Sequence, residues 1–405
     1  MNDFIDRNFA REVELLKALV RVPSDNPPGD CAAHAEAAEK LLSALGFAVE
    51  RHPVPEETAR QYGMVSVTNL IVRERFGSGK GPVIALNAHG DVVPPGEGWM
   101  HDPYGAEEKN GAIYGRGAAV SKSDFCTYGF ALLALKHDPA GLDGTVELHL
   151  TYDEEAGGFL GPKWLLDRAL SKPDLAISAG FSYAVITAHN GVLHLEVTVR
   201  GRQAHAAMPE TGVDALEAAN SVLTALYAER RKLAQIASQS PGIGSAKLTV
   251  GLISGGINTN VVPDRIAIRL DRRLIPEEDG EGVEKALVAL IEKAAAQHPG
   301  IGVTCRRIIL AQPLKPLPGI EKLVEPLRRH AEAEFKTAIE AKGVPLYTDA
   351  RHYSAAGIPT VLYGAGPRSI IEANAHGANE HVKLSDLKSA TKVVAATLRD
   401  LLKAR

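Results

Sequence analysis

Through its first ~185 residues the chain alternates apolar runs of strand length with amphipathic stretches at helical spacing, and this constrains the fold more than any other feature. The strand-length runs are "NLIVRERF" (69–76), "GPVIALNAH" (81–89), "TVELHLTYD" (145–153) and "DLAISAG" (174–180). Helical patterns surround them in "FAREVELLKALVRV" (9–22), "AAHAEAAEKLLSALGF" (32–47), "FCTYGFALLALKHD" (125–138) and "FLGPKWLLDRAL" (159–170). Runs that are apolar on both faces and separated by helices predict an α/β domain with a mostly parallel central sheet.

Near Gly191 the pattern changes. "GVLHLEVTVRGRQAHAA" (191–207) alternates apolar and polar residues, as an antiparallel strand buried on one face does. A long helix pattern (214–237), two more alternating strands (245–256 and 264–276), a helix (280–297) and a strand (302–311) follow. That β-α-β-β-α-β order predicts an α+β, ferredoxin-like domain over 191–310, inserted into a catalytic α/β domain made of 1–190 and 311–405. "GIPTVLYGAG" (357–366) resumes the buried-strand character, and "SDLKSATKVVAATLRDLLKAR" (385–405) predicts a capped amphipathic helix. A chain of 405 residues is too long for one ordinary core, which agrees with two domains.

A net charge of −4 gives no reason to expect nucleic acid or an anionic membrane as partner. No apolar run approaches the ~20 residues of a membrane span, and the N-terminal stretch lacks the basic and apolar regions of a signal peptide. Cys31, Cys126 and Cys305 are too few and too scattered for a disulfide framework, so a reducing cytoplasm is expected.

The polar residues of interest follow the predicted buried strands. His89 and Asp91 follow "VIALNA", Asp153, Glu154 and Glu155 follow "VELHLT", and His376 lies shortly after "TVLYGAG". Open parallel sheets place ligand sites outside the carboxyl ends of their strands, so these residues are expected to converge. Singly, each has a plainer explanation: a hydrogen-bonded structural histidine, or a solvated acidic turn. Together, imidazole and carboxylate suit zinc, manganese or cobalt. A carboxylate two residues from a ligating histidine can fix its tautomer, and adjacent glutamates can divide metal binding from proton transfer.

An ordered series of motifs adds to this: "RVPSDNPPGD", "NAHGDVVPPGEGW", "DPYGAEEKNGAIYGRGA", "YDEEAGG", "VRGRQAHAAMPETG", "GGINTNVVPD", "TDARHYSAAGIPTVLYGAG" and "AHGANEHV". They resemble, nearly end to end, the M20 family of metallohydrolases, which includes acetylornithine deacetylase, succinyl-diaminopimelate desuccinylase, the aminoacylases and glutamate carboxypeptidase. The resemblance implies His89 as a ligand of one metal and Asp91 as the acid that orients it. Glu154 matches the general base that activates the attacking water, and Glu155 and His376 match ligands of a second metal. His205 matches an oxyanion-stabilising histidine on a lid domain, and Asn260 and Arg351 match positions that contact the substrate. It also implies a homodimer formed through the inserted domain.

Two positions depart from the family pattern. Where the resemblance expects a metal-bridging aspartate, "GRGAAVSKSD" (115–124) has Val120; where it expects a carboxylate or histidine, "PDLAISAGFSY" has Ala179-Gly180-Phe181. Three readings follow. Asp124, one helical turn past Val120, replaces the lost ligand, with His189 or His352 filling the second gap; or one metal is held through Glu155, His376 and either His89 or Asp124; or the protein is a non-catalytic, metal-poor binding relative. Asp124 also suits a helix N-terminal charge or a Ser121-x-x-Asp124 cap. The expected reaction is metal-dependent hydrolysis of an amide C–N bond in a small N-acyl amino acid or related carboxylate. The alternative chemistry is hydrolysis with another leaving group, as in a deaminase or carbamoyl hydrolase.

Overall fold

The computed structural model describes residues 1–404. Its strands are β1 (Val49–Pro53), β2 (Thr68–Phe76), β3 (Val83–His89), β4 (Glu107–Lys109), β5 (Ala112–Tyr114), β6 (Gly144–Thr151), β7 (Leu175–Ser178), β8 (Ala184–His189), β9 (Gly191–Arg200), β10 (Lys247–Gly255), β11 (Arg265–Leu274), β12 (Gly302–Ala311), β13 (Glu340–Val344), β14 (Thr360–Leu362) and β15 (His381–Lys383). The helices are α1 (Asn2–Val20), α2 (Ala32–Ala44), α3 (Glu56–Gln61), α4 (Lys122–His137), α5 (Pro162–Asp167), α6 (Ala215–Leu233), α7 (Gly280–Ala295), α8 (Glu321–Phe335), α9 (Ala350–Ala355) and α10 (Leu384–Leu401). None of them is long and apolar enough to cross a membrane.

The chain divides into two compact units. The first holds Met1–Thr187, Pro316–Lys342 and the chain from Thr348 onward; the second holds Ala188–Lys315 and Gly343–Tyr347. Where the sequence suggested a return at residue 311, the structure keeps the chain in the second unit through Lys315 and brings Gly343–Tyr347 back to it. Gly343 N donates to the Pro241 carbonyl at 2.7 Å, and a side chain at Gly343 would stand 2.6 Å from Ile243 Cδ1.

The large sheet runs β1-β2-β6-β3-β7-β14-β8-β13. Its centre, β6-β3-β7-β14, is parallel, and β1, β2 and β8 join it antiparallel. Side chains alternate across it as strand geometry requires. Ile84, Leu86 and Ile177 face the main core, while Ala85 and Ala176 face a smaller cluster with Tyr353 and Ile358. Both faces are therefore covered, which is why β3 reads as a continuous apolar run. Helix α4 packs on β3 and β6 beside α1 and α10, and α9 packs on β7 and β14.

In the second unit the sheet is antiparallel with order β10-β11-β9-β12, and α6 and α7 lie on it. This is the β-α-β-β-α-β arrangement expected from the sequence. Asp214 caps α6 by accepting from Leu216 N at 2.7 Å, and Asp279 caps α7 by accepting from Gly282 N at 2.9 Å. The cap expected for α10 is not formed: Ser385 and Asp386 fall inside its first turn, and the preceding Lys383 makes no side-chain cap.

Candidate active site

Strands β3 and β6 run parallel with His89 level with Thr151, so the residues that leave their carboxyl ends meet. His89 closes β3 and is 5% exposed. Its backbone is pinned from both sides by one hydroxyl: His89 N donates to Ser121 Oγ at 3.0 Å, and that hydroxyl donates to the His89 carbonyl at 3.1 Å. Ser121 stands at the N-cap position of α4, but its hydroxyl makes no cap hydrogen bond there.

His89 Nδ1 donates to the Asp91 carbonyl at 2.9 Å, which leaves Nε2 facing Glu154. The Asp91 carboxylate has other work. It accepts from Glu154 N at 3.2 Å, Glu155 N at 3.1 Å and Asn26 Nδ2 at 2.9 Å. Asp91 thus orients His89 through its carbonyl and through carboxylate Oδ1, 3.4 Å from Nδ1, and the same carboxylate fixes the turn that presents the two glutamates.

Among the described residues, His89, Glu154 and Glu155 form a group of potential metal donors, with one ligand atom from each lying within 4.8 Å of the others. His89 Nε2 lies 4.0 Å from Glu154 Oε2. Glu155 Oε1 is buried without a hydrogen-bond partner, and His376 Nε2 approaches it at 3.3 Å. His376 sits in a loop at φ 63°, and that backbone turn brings its half-exposed ring over Glu155.

The other candidates go elsewhere. Asp124 lies in the first turn of α4, buried, with Oδ1 accepting from Ala365 N at 2.7 Å and its carboxylate also bonded by the Gly180 amide. A side chain at Gly364 would collide with that carboxylate. Asp124 is therefore held by backbone amides rather than gathered with the donors. His352 Nε2 bonds the Gly157 carbonyl at 2.9 Å, and its ring meets Phe159 edge-on. Arg351 donates to the same carbonyl and lies over Phe159 at 5.3 Å. His189 belongs to the second unit, where its Nδ1 bonds the Asn190 carbonyl at 2.8 Å. His205 and Asn260 also lie there, exposed on adjacent strands of chain: Ala206 N donates to the Asn260 carbonyl at 3.0 Å, and Ala207 N donates to His205 Nδ1 at 3.0 Å.

Of the supporting residues, only Lys122 is singled out by the sequence, as a support for its loop or a carboxylate; Glu380 and Asp349 are not. Glu380, fully buried, accepts from Ala119 N at 3.0 Å and Val120 N at 3.1 Å, and pairs with the buried Arg116 at 2.5 Å. Lys122 is buried with Nζ on the Val22 carbonyl at 3.0 Å, and burial pushes its pKa down to about 7. Asp349, beside Arg351, is 3% exposed, accepts from Thr151 Oγ1 at 3.3 Å and has an unpartnered Oδ1. Its place in "TDARHY" was a signal that could have found it.

These charges explain what the site demands. Burial, the neighbouring Glu155 and the more distant Asp349 and Asp91 lift Glu154 well above the usual carboxylate range, although His89 opposes them. Burial lifts Asp349 to about 7. Burial alone would push His89 down, but Glu154, Asp91 and Glu155 outweigh it and raise the imidazole well above its ordinary value. Like charges 4 Å apart repel by about 4 kcal/mol at an effective dielectric of 20, so the cluster favours a proton or a cation among its carboxylates.

The model of peptidase family M20/M25/M40 matches residues 85–400, which include every element of this cluster. The chain belongs to that family. It is 28% identical over 393 residues to the succinyl-diaminopimelate desuccinylase of Acidiphilium cryptum, covering 95% of this chain and 96% of that one. It is 30% identical over 321 residues to the acetylornithine deacetylase of Vibrio parahaemolyticus, covering 77% and 79%. Among solved structures, aminopeptidase PepT from Bacillus cereus superposes with a TM-score of 0.74 at 23% identity, covering 97% of this chain and 99% of that one. The Bacillus subtilis YXEP protein, a dinuclear metal-binding peptidase, gives 0.72 at 16% identity over 99% and 100%. At these identities the structural likenesses speak for the fold. This M20 protein is an amidohydrolase or peptidase of its family, and its donors fit a transition metal: the buried Glu155 Oε1, met only by His376, and His89 Nε2, whose proton an ion would displace, are groups suited to hold one.

Proposed function

We propose that this M20 hydrolase cleaves the amide C–N bond of a small N-acyl amino acid or related carboxylate, with Glu154 as the proton-transfer group. The observation that carries this reading is the Asp91 clamp. By accepting from both Glu154 N and Glu155 N it fixes two adjacent glutamates beside His89, one with a raised pKa and one whose buried Oε1 meets His376 Nε2 at 3.3 Å. A carboxylate with a raised pKa suits proton transfer near neutral pH. Glu154 accepts a proton from the attacking water as the water oxygen bonds to the carbonyl carbon. It returns that proton to the nitrogen as the C–N bond breaks, giving a carboxylic acid and an amine. His89, Glu155 and His376 would hold a metal, which when bound would supply Lewis-acid polarisation of the carbonyl and a more acidic water. Zinc is the metal we assign, with manganese and cobalt as substitutes that the same donors accept.

His205 is assigned to the oxyanion and Asn260 and Arg351 to the substrate carboxylate, in a cytoplasmic homodimer joined through the second unit. The desuccinylase and deacetylase relatives support an N-acyl amino acid substrate. The test is hydrolysis of N-acetyl and N-succinyl amino acids by the metal-loaded enzyme. Glu154→Ala is expected to lower kcat by about 10²–10⁴-fold. Equal turnover in that variant, or none by the native enzyme with zinc, manganese or cobalt, overturns the reading.

A further inference from the structure

The donors gathered at the ends of β3 and β6 are sufficient for one ion and insufficient for two. Three side chains gather as donors, His89, Glu154 and Glu155, and His376 Nε2 reaches one of them, lying 3.3 Å from Glu155 Oε1. Among the described residues no other acid joins this group, Asp349 and Asp153 included although each has an unpartnered Oδ1. Asp91 accepts from Asn26, Glu154 N and Glu155 N; Asp124 accepts from Ala365 N; Asp153 Oδ2 accepts from Leu160 N at 2.5 Å. Val120 and Gly180 offer no donor side chain at all. Two ions held side by side need a carboxylate shared between them plus further ligands on each, whereas two histidines and a glutamate make a complete catalytic site for one ion. The Glu155 side chain is 9% exposed and its buried Oε1 is met only by His376 Nε2 at 3.3 Å, which marks where that ion belongs.

We propose that each chain binds one divalent transition-metal ion through His89 Nε2, Glu155 and His376 Nε2, with Glu154 beside it, in place of the metal pair of the dinuclear YXEP protein. The inference rests on the proposed function in giving Glu154 proton transfer rather than coordination.

The experiment strips the purified full-length protein with a chelator and titrates it with cobalt(II) by calorimetry, with elemental analysis and electron paramagnetic resonance of the product. One ion per chain with the spectrum of an isolated cobalt(II) is expected; two per chain, an exchange-coupled spectrum or no binding overturns the proposal. Glu155→Gln and His376→Ala should each weaken binding by more than the roughly 10–100-fold that loss of an outer partner causes. Asp124→Asn, which retains an acceptor for Ala365 N, should keep the stoichiometry at one, and loss of the ion in this variant would overturn the donor set. One ion bound without hydrolysis of any N-acyl amino acid leaves this inference standing and removes the proposed function. Two ions with hydrolysis does the reverse.

Discussion

Asn26 is the residue whose importance the sequence concealed most completely. It lies in "RVPSDNPPGD", 65 residues before its partner, and its amide donates to Asp91 Oδ2 at 2.9 Å in a buried setting. Asp91 in turn holds Glu154 N, Glu155 N and, through its carbonyl, His89 Nδ1. Asn26→Ala should therefore loosen the site without removing a donor. We expect metal affinity to fall by about 10–100-fold, the range for loss of an outer partner, as measured by calorimetric titration. Affinity equal to that of the native protein would show that the three backbone contacts orient Asp91 unaided. His89, Glu154 and Glu155 were legible because each follows an apolar run that sequence periodicity marks as a buried strand. Asp124 was not legible. Helical spacing places it one turn past Val120, but the amide that captures it belongs to Ala365, 241 residues away, and no local pattern records such a partner.

At the scale of elements, the loop that joins β5 to α4 depends on a pair of charges buried together. Arg116 and Glu380 are 1% and 0% exposed at the side chain and lie 2.5 Å apart. Glu380 also gathers the amides of Ala119 and Val120, which immediately precede the hydroxyl of Ser121 on His89. Removing one member of a buried pair leaves the other charge uncompensated, at a cost of about 3–5 kcal/mol. Glu380→Ala is thus expected to lower the unfolding free energy measured by denaturant titration by that amount and to weaken metal binding, because the loop also positions β3. Glu380→Gln, which keeps acceptors for the two amides, should recover part of the metal affinity while remaining less stable than the native chain. Equal stability of the alanine variant and the native protein would refute the account. The motif "AHGANEHV" marked this region, but family resemblance directed attention to His376 and left Glu380 without a role. The β-α-β-β-α-β order of the second unit, by contrast, was legible because alternation along β9 and β11 records which face each strand buries.

For the molecule as a whole, the sharpest prediction concerns pH and a residue remote in the chain from the site. Glu12 is fully buried in α1, beside Thr391 of α10, whose hydroxyl donates to Oε1 at 2.5 Å; its Oε2 has no partner. Helices α1, α4 and α10 pack together around it, and burial lifts its pKa from 4.5 to about 8, with the Thr391 hydrogen bond opposing. Between those values the folded chain holds a proton that the unfolded chain has released. Folding then becomes less favourable as pH rises from 4.5 towards 8, by at most about 1.4 kcal/mol per pH unit, and above 8 this contribution levels off. Glu12→Gln has nearly the same shape, accepts from Thr391 and does not titrate. Its Tm should match that of the native protein at pH 5 and exceed it by a growing margin through pH 7 and 8. Because every other titrating group is common to both proteins, the difference isolates Glu12, and parallel Tm curves across this range would show that the carboxyl is not held neutral in the fold.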